Sequence, residues 1–87
     1  MRPTENEVRI GLAEVFAGCN VFEVEEDGDI TYITATGGCV VLKYSDMRKI
    51  VEVLGTERVW FSSLAGRDAE DSVSFDGCVM YIKAMYT

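Results

Sequence analysis

Five carboxylates fall within the seven positions Glu23–Asp29: Glu23, Glu25, Glu26, Asp27 and Asp29. Such a group can ligate a cation, imitate nucleic-acid phosphates toward a basic partner, or form a solvated hairpin tip whose charges discourage edge pairing. As a calcium loop it is incomplete. That chemistry needs oxygen ligands at fixed loop positions and a distant bidentate Glu, and Asp27-Gly28-Asp29 supplies only a fragment. Strand alternation also divides the group, with Glu23 and Glu25 on one face and Glu26 on the other. A second acidic set, Asp68, Glu70, Asp71 and Asp76, follows later with Arg67 beside it. If both sets share a side of the molecule, they form one negative patch able to compete for a basic groove.

Nucleophilic and metal chemistry find little support. The chain has no histidine, so Ser62, Ser63, Ser72 and Ser74 have no imidazole to activate them, and lysine is scarce (Lys43, Lys49, Lys83). Gly37-Gly38 reads as a turn pair, because neither GxxxxGK[ST] nor GxGxxG is present. Carboxylates in acid–base catalysis need a cleft that perturbs their pKa, and these read as exposed. Cys19, Cys39 and Cys78 contain no CxxC pair. They read as three small, reduced thiols, with neither a disulfide framework nor a zinc site. No cofactor and no enzymatic activity are expected.

Composition narrows the frame further. Eighty-seven residues make one domain, too small to spare material for a deep cleft, since such a chain buries only roughly 60–65% of its unfolded surface. With 48% hydrophobic and 26% charged residues it is a folded domain rather than a disordered tail. A net charge of −7 argues against direct binding to nucleic-acid backbones. Apolar runs such as Cys39-Val40-Val41-Leu42 fall far short of the ~20 residues of a membrane span. Met1-Arg2-Pro3-Thr4-Glu5 leads into a charged helix and not an apolar leader, so a cytoplasmic protein is expected.

The elements that must position these groups are read from periodicity. Thr4 and Glu7 have capping-box spacing, and Val8, Leu12, Val15 and Phe16 form one stripe, predicting a helix near 5–17 closed by Gly18. Gly11 inside it costs ~1 kcal/mol against alanine. Period two then begins. Val21–Glu26, Asp29–Thr36 and Cys39–Tyr44, joined by Asp27-Gly28 and Gly37-Gly38, predict an antiparallel meander. Ser45 is the expected N-cap of a second helix, 46–54, with Met47, Ile50, Val51 and Leu54 inward and Gly55 at its end. A strand over Glu57–Ser62, a polar loop over Ser63–Asp71, and a hairpin of Val73–Phe75 with Cys78–Met85 complete the order. The prediction is an α+β domain, α-βββ-α-βββ, with two helices packed on antiparallel sheet. Gly38-Cys39-Val40-Val41 and Gly77-Cys78-Val79-Met80 are alike, as a tandem duplication or shared turn chemistry would make them.

Helix–strand order alone would also suit a double-stranded-RNA-binding domain. Arg48 and Lys49 are the sole bases at the start of the second helix, and the lysine-rich phosphate clamp is missing. That reading is rejected. Aromatics are the remaining handle: Trp60 and Phe61 must point to opposite faces of a strand, so one lies on the less buried side. Exposed Trp60 and Tyr81 would anchor a partner. Met80, Met85 and Tyr86 on the last strand would add to an interface if that strand is an edge.

In size, charge and absence of a catalytic constellation, the chain resembles the small acidic single-domain inhibitors that phages encode against host defence, anti-CRISPR proteins among them. The resemblance implies binding to a nucleic-acid-handling complex of the host cytoplasm and blockage of its guide- or DNA-binding channel. The residues themselves point to a protein partner with a basic surface. They nominate Glu23, Glu25, Glu26, Asp27, Asp29, Asp68, Glu70, Asp71, Trp60 and Tyr81 as its contacts. The alternative is a structural or regulatory domain that forms homodimers through edge strands. The third reading is a small enzyme or ligand carrier with a site between helices and sheet.

Overall fold

The computed structural model describes residues 2–37, 39–63, 67–69, 72–76 and 79–87, with the backbone alone at 39–41, 62–63, 67–69, 72–76 and 79. Its elements run α1 (Glu5–Leu12), β1 (Val21–Asp27), β2 (Ile30–Thr36), β3 (Cys39–Lys43), α2 (Tyr44–Leu54), β4 (Val59–Ser63), β5 (Arg67–Ala69), β6 (Ser72–Asp76) and β7 (Val79–Met85). This is the α+β architecture read from the sequence, with one strand more. β5 lies within the predicted polar loop, where a three-residue strand is too short to show a period.

Helix α1 begins as its capping box requires. The Glu7 N–H donates to Thr4 Oγ1 at 3.1 Å, and the Thr4 N–H donates to the Glu7 carboxylate at 2.9 Å. The Thr4 backbone bond, reinforced by the Thr4 hydroxyl, holds the Glu7 carboxyl below its ordinary pKa. The helix ends at Leu12, earlier than predicted, and the chain continues as turns to Gly18. Bonds spanning three residues, Ala13 N–H to Ile10, Ala17 N–H to Glu14 and Cys19 N–H to Phe16, interrupt the helical ladder, of which Phe16 N–H to Leu12 remains. The apolar stripe survives this tightening: Val8, Leu12 and Phe16 are buried, and Phe16 stacks on Phe22 with centroids 4.7 Å apart. A stripe reports which side faces the core, and it persists where the helix itself has ended.

Helix α2 is capped by Lys43 and not by Ser45. The Asp46 carboxylate accepts the Lys43 N–H at 3.0 Å, so the acid in the first turn supplies the cap from inside the helix. Gly55 closes it in the left-handed region at φ 73°, its N–H bonded to the Val51 carbonyl. Gly11 of α1 lies against Val53 of α2, where an added Cβ would come within 2.8 Å of Val53 Cγ1. The glycine that weakens α1 locally is what lets the helices approach.

Two antiparallel sheets form, with strand orders β1-β2-β7-β4 and β3-β6-β5. The predicted meander is therefore corrected: β3 does not pair with β2 but crosses to β6 in the second sheet. The predicted 73–85 hairpin is corrected likewise, since β6 pairs with β3 and β5 while β7 lies between β2 and β4. One register unites both ladders. Thr36 pairs with Val79, and the next described pair, Cys39 with Asp76, lies three residues on along one strand and three back along the other. Segments 30–43 and 72–85 thus form two in-register ladders with two residues between them on each strand, Gly37-Gly38 and Gly77-Cys78.

The core lies between the helices and one face of the larger sheet. Val8, Leu12, Ile50 and Leu54 meet Val24, Ile33, Ala35, Met80, Ile82 and Ala84, with Leu42 of β3 buried beside them. Burial stabilises the fold by about 1.5–3 kcal/mol for each of the Val, Leu, Ile and Met side chains among these. Among the described residues, no helix is long and apolar enough to cross a membrane.

Candidate functional site: the outer face of the larger sheet

With both helices packed on the inner face, the outer face of β1-β2-β7-β4 carries the chemistry. Register aligns Glu25 with Tyr32, Tyr32 with Lys83, and Lys83 with Trp60, a single row across all four strands. Neighbouring side chains in such a row have Cβ atoms about 4.5–5.5 Å apart. Flanking rows place Glu23, Thr34 and Tyr81 on one side, and Asp27, Ile30, Met85 and Arg58 on the other.

Tyr32, Trp60, Tyr81 and Lys83 line an open, mainly apolar groove of about 400 Å³. Trp60 remains 48% exposed and Tyr81 42%, whereas Phe61, its neighbour in β4, packs against the core as alternation requires. The Lys83 ammonium lies 5.5 Å from the centroid of the Trp60 ring, where the ring's negative face attracts it. The acids occupy the β1 border of this face, and Lys83 and Arg58 sit toward β4. The face is therefore graded, negative on one side and weakly positive on the other, with aromatics between.

The nominated residues divide. Glu23, Glu25 and Asp27 form an exposed column on β1 and share the outer face with Trp60 and Tyr81. Glu26 does not join them: it pairs with the buried Thr31, on the opposite side of the pleat. Its N–H donates to a Glu5 oxygen at 2.8 Å, which closes one backbone group on the free edge of β1. Asp29 belongs to the turn rather than to the face, and its carbonyl accepts the Tyr86 N–H at 2.9 Å. Asp68 lies in β5 of the second sheet, with its side chain outside the described residues, as are Glu70 and Asp71 altogether. Among the described residues, no group of three His, Cys, Asp or Glu side chains converges to hold a metal ion.

The terminal strand is not an edge, which corrects the proposed self-pairing route. β7 has a neighbour on each side, and the outer strands of this sheet are β1 and β4. Met80 is fully buried. Tyr86 is held from two directions, its hydroxyl donating to the Leu54 carbonyl at 2.6 Å and its ring lying under Arg2. Cys19 is a half-buried free thiol whose pKa burial raises, and the side chains of Cys39 and Cys78 lie outside the described residues.

Tyr32 and Lys83 were not singled out from sequence as contacts. Both stand in the middle of the groove because β7 inserts between β2 and β4, a pairing across about fifty residues that no local pattern announces. No protein-family model, curated protein or solved structure matches the chain.

Proposed function

We propose that this chain is a non-catalytic binding module whose outer sheet face docks on a protein with a basic surface. We further propose that the partner is a nucleic-acid-handling complex, inhibited when its basic groove is occupied, as the resemblance to anti-CRISPR proteins implies. The observation that carries the reading is the row Glu25–Tyr32–Lys83–Trp60, bordered by Glu23, Asp27 and Tyr81. Exposed aromatics supply contact area at low conformational cost and concentrate interface energy. Carboxylates on the rim steer approach and fix orientation while adding little affinity singly.

The test is a comparative capture from the native host, using the parent and a Trp60→Ala/Glu25→Gln variant. The expected partner is retained by the parent, lost by the variant, and itself binds nucleic acid. Purified, it should lose its nucleic acid when the parent protein is added. A partner that keeps its nucleic acid at saturating parent protein would overturn the inhibitory reading.

A further inference from the structure

We infer that the Tyr32–Trp60–Tyr81 groove is an arginine-reading site: it takes a guanidinium from the basic partner, flat on the aromatic faces and forked onto Glu25. This rests on the proposed docking role of the face and names the side chain that the partner must present.

Charge sets the sign of the occupant. The groove opens beside three exposed carboxylates in one column, Glu23, Glu25 and Asp27, on a chain of net charge −7. An anionic or nucleic-acid occupant would have to approach against that field, whereas a cationic one is drawn in. Shape then selects among cations. The lining is three aromatic rings and one lysine, and it is predominantly apolar. A planar guanidinium stacks on such rings, is more weakly hydrated than an ammonium, and presents two parallel N–H donors to a carboxylate. Glu25 is directly opposite Tyr32 in the ladder, within one strand spacing of the groove. An ammonium can do only part of this, as Lys83 shows by resting 5.5 Å from the Trp60 centroid. Lys83 is thus an internal occupant of the weaker kind, which an incoming guanidinium displaces from Trp60.

Trp60 is the chain's single tryptophan, so its fluorescence reports on this groove alone. The experiment titrates the full chain with a capped Gly-Arg-Arg-Arg-Gly peptide and with the matched lysine peptide, at low salt. The arginine peptide should saturate the Trp60 signal at a concentration at least about threefold lower than the lysine peptide. Glu25→Gln should erase most of that preference. Lys83→Met, which removes the internal competitor, should tighten arginine-peptide binding by about threefold or more. Equal binding of the two peptides overturns arginine selection while leaving a basic partner in place. No response to either peptide overturns both this inference and the docking role of the face. A response accompanied by doubling of the molecular mass in light scattering makes the groove a contact between two copies and overturns it as well. Circular dichroism of each variant confirms that the comparison is between folded proteins.

Discussion

The guanidinium of Arg2 lies 4.9 Å from the centroid of the Tyr86 ring, joining the two ends of the chain across the turn between β1 and β2. The same group donates to the Gly28 carbonyl, to the Ile30 carbonyl at 2.8 Å and to Thr31 Oγ1 at 3.1 Å. Thr31 is the buried polar residue among the described ones, and Arg2 is one of its side-chain partners. Arg2→Ala should therefore destabilise the protein by about 2–3 kcal/mol, through lost charged hydrogen bonds and the ring contact. Arg2→Lys should recover only a minor part, since an ammonium does not fork onto three acceptors. Urea denaturation checks both, and an Arg2→Ala variant as stable as the parent refutes the clamp.

Alkaline pH should loosen the same corner. Burial raises the Tyr86 phenol above its ordinary 10.0, partly offset by Thr31 and Arg2, and raises the Cys19 thiol above 9.0. The folded state holds both protons more tightly than the unfolded chain. Their contribution is thus fully present below those ordinary values and is lost as pH rises through the higher folded ones. Stability measured by urea denaturation should fall from about pH 9 upward. Tyr86→Phe should lower stability at pH 7 by about 1 kcal/mol, by leaving the Leu54 carbonyl unpaired, yet flatten the decline above pH 10. An unchanged slope in that variant refutes the assignment.

Gly37 and Gly28 both have positive φ, 77° and 61°, but their surroundings differ. A Cβ at Gly37 would lie 2.7 Å from Asn20 Cβ, while nothing lies within 4 Å of one at Gly28. Gly37→Ala combines backbone strain with crowding and should cost about 2–4 kcal/mol. Gly28→Asn should cost under about 1 kcal/mol, because Asn visits the left-handed region and has open space there. Thermal unfolding of the two variants decides, and equal losses would count against the crowding at Asn20.

The contrast between local and distant information explains what the sequence disclosed. The start of α1, the Gly55 stop and the β1–β2 turn follow from residues within a few positions of each other, and they were legible at Thr4, Glu7, Gly55 and Gly28. The start of α2 was misplaced at Ser45, because Asp46 caps Lys43 from inside the helix. The partners of β3 and β7 depend on contacts some thirty to fifty residues apart, so the meander and the last hairpin were misread. Gly37-Gly38 has the composition of a tight turn and yet joins strands in different sheets, since composition does not encode where a strand goes next. For the site, alternation correctly separated Glu26 from Glu23 and Glu25 and put Trp60 and Phe61 on opposite faces, while packing against the core decides that Trp60 is the outward one. It could not show that Glu25, Tyr32, Lys83 and Trp60 share a row.

That row gives the acids unequal roles, which charge removal separates. Glu23, Glu25 and Asp27 border the groove, whereas Glu26 and Asp29 are exposed elsewhere. Replacing the first three by Gln, Gln and Asn removes solvated charges and should leave the unfolding midpoint close to the parent's. Association with the arginine peptide, followed by stopped-flow Trp60 fluorescence, should become slower, and its salt dependence shallower. At low salt the difference should be greatest, because the Debye length of ~30 Å at 0.01 M lets the whole column act on an approaching cation. Glu26→Gln with Asp29→Asn removes two charges from the same hairpin, so it is the matched control for net charge alone. That control should slow association by clearly less per charge removed. If both variants slow it equally per charge, the steering comes from net charge and not from the column. If the triple variant associates as fast as the parent at low salt, electrostatic docking on this face is wrong, and the aromatic groove must act without the acids.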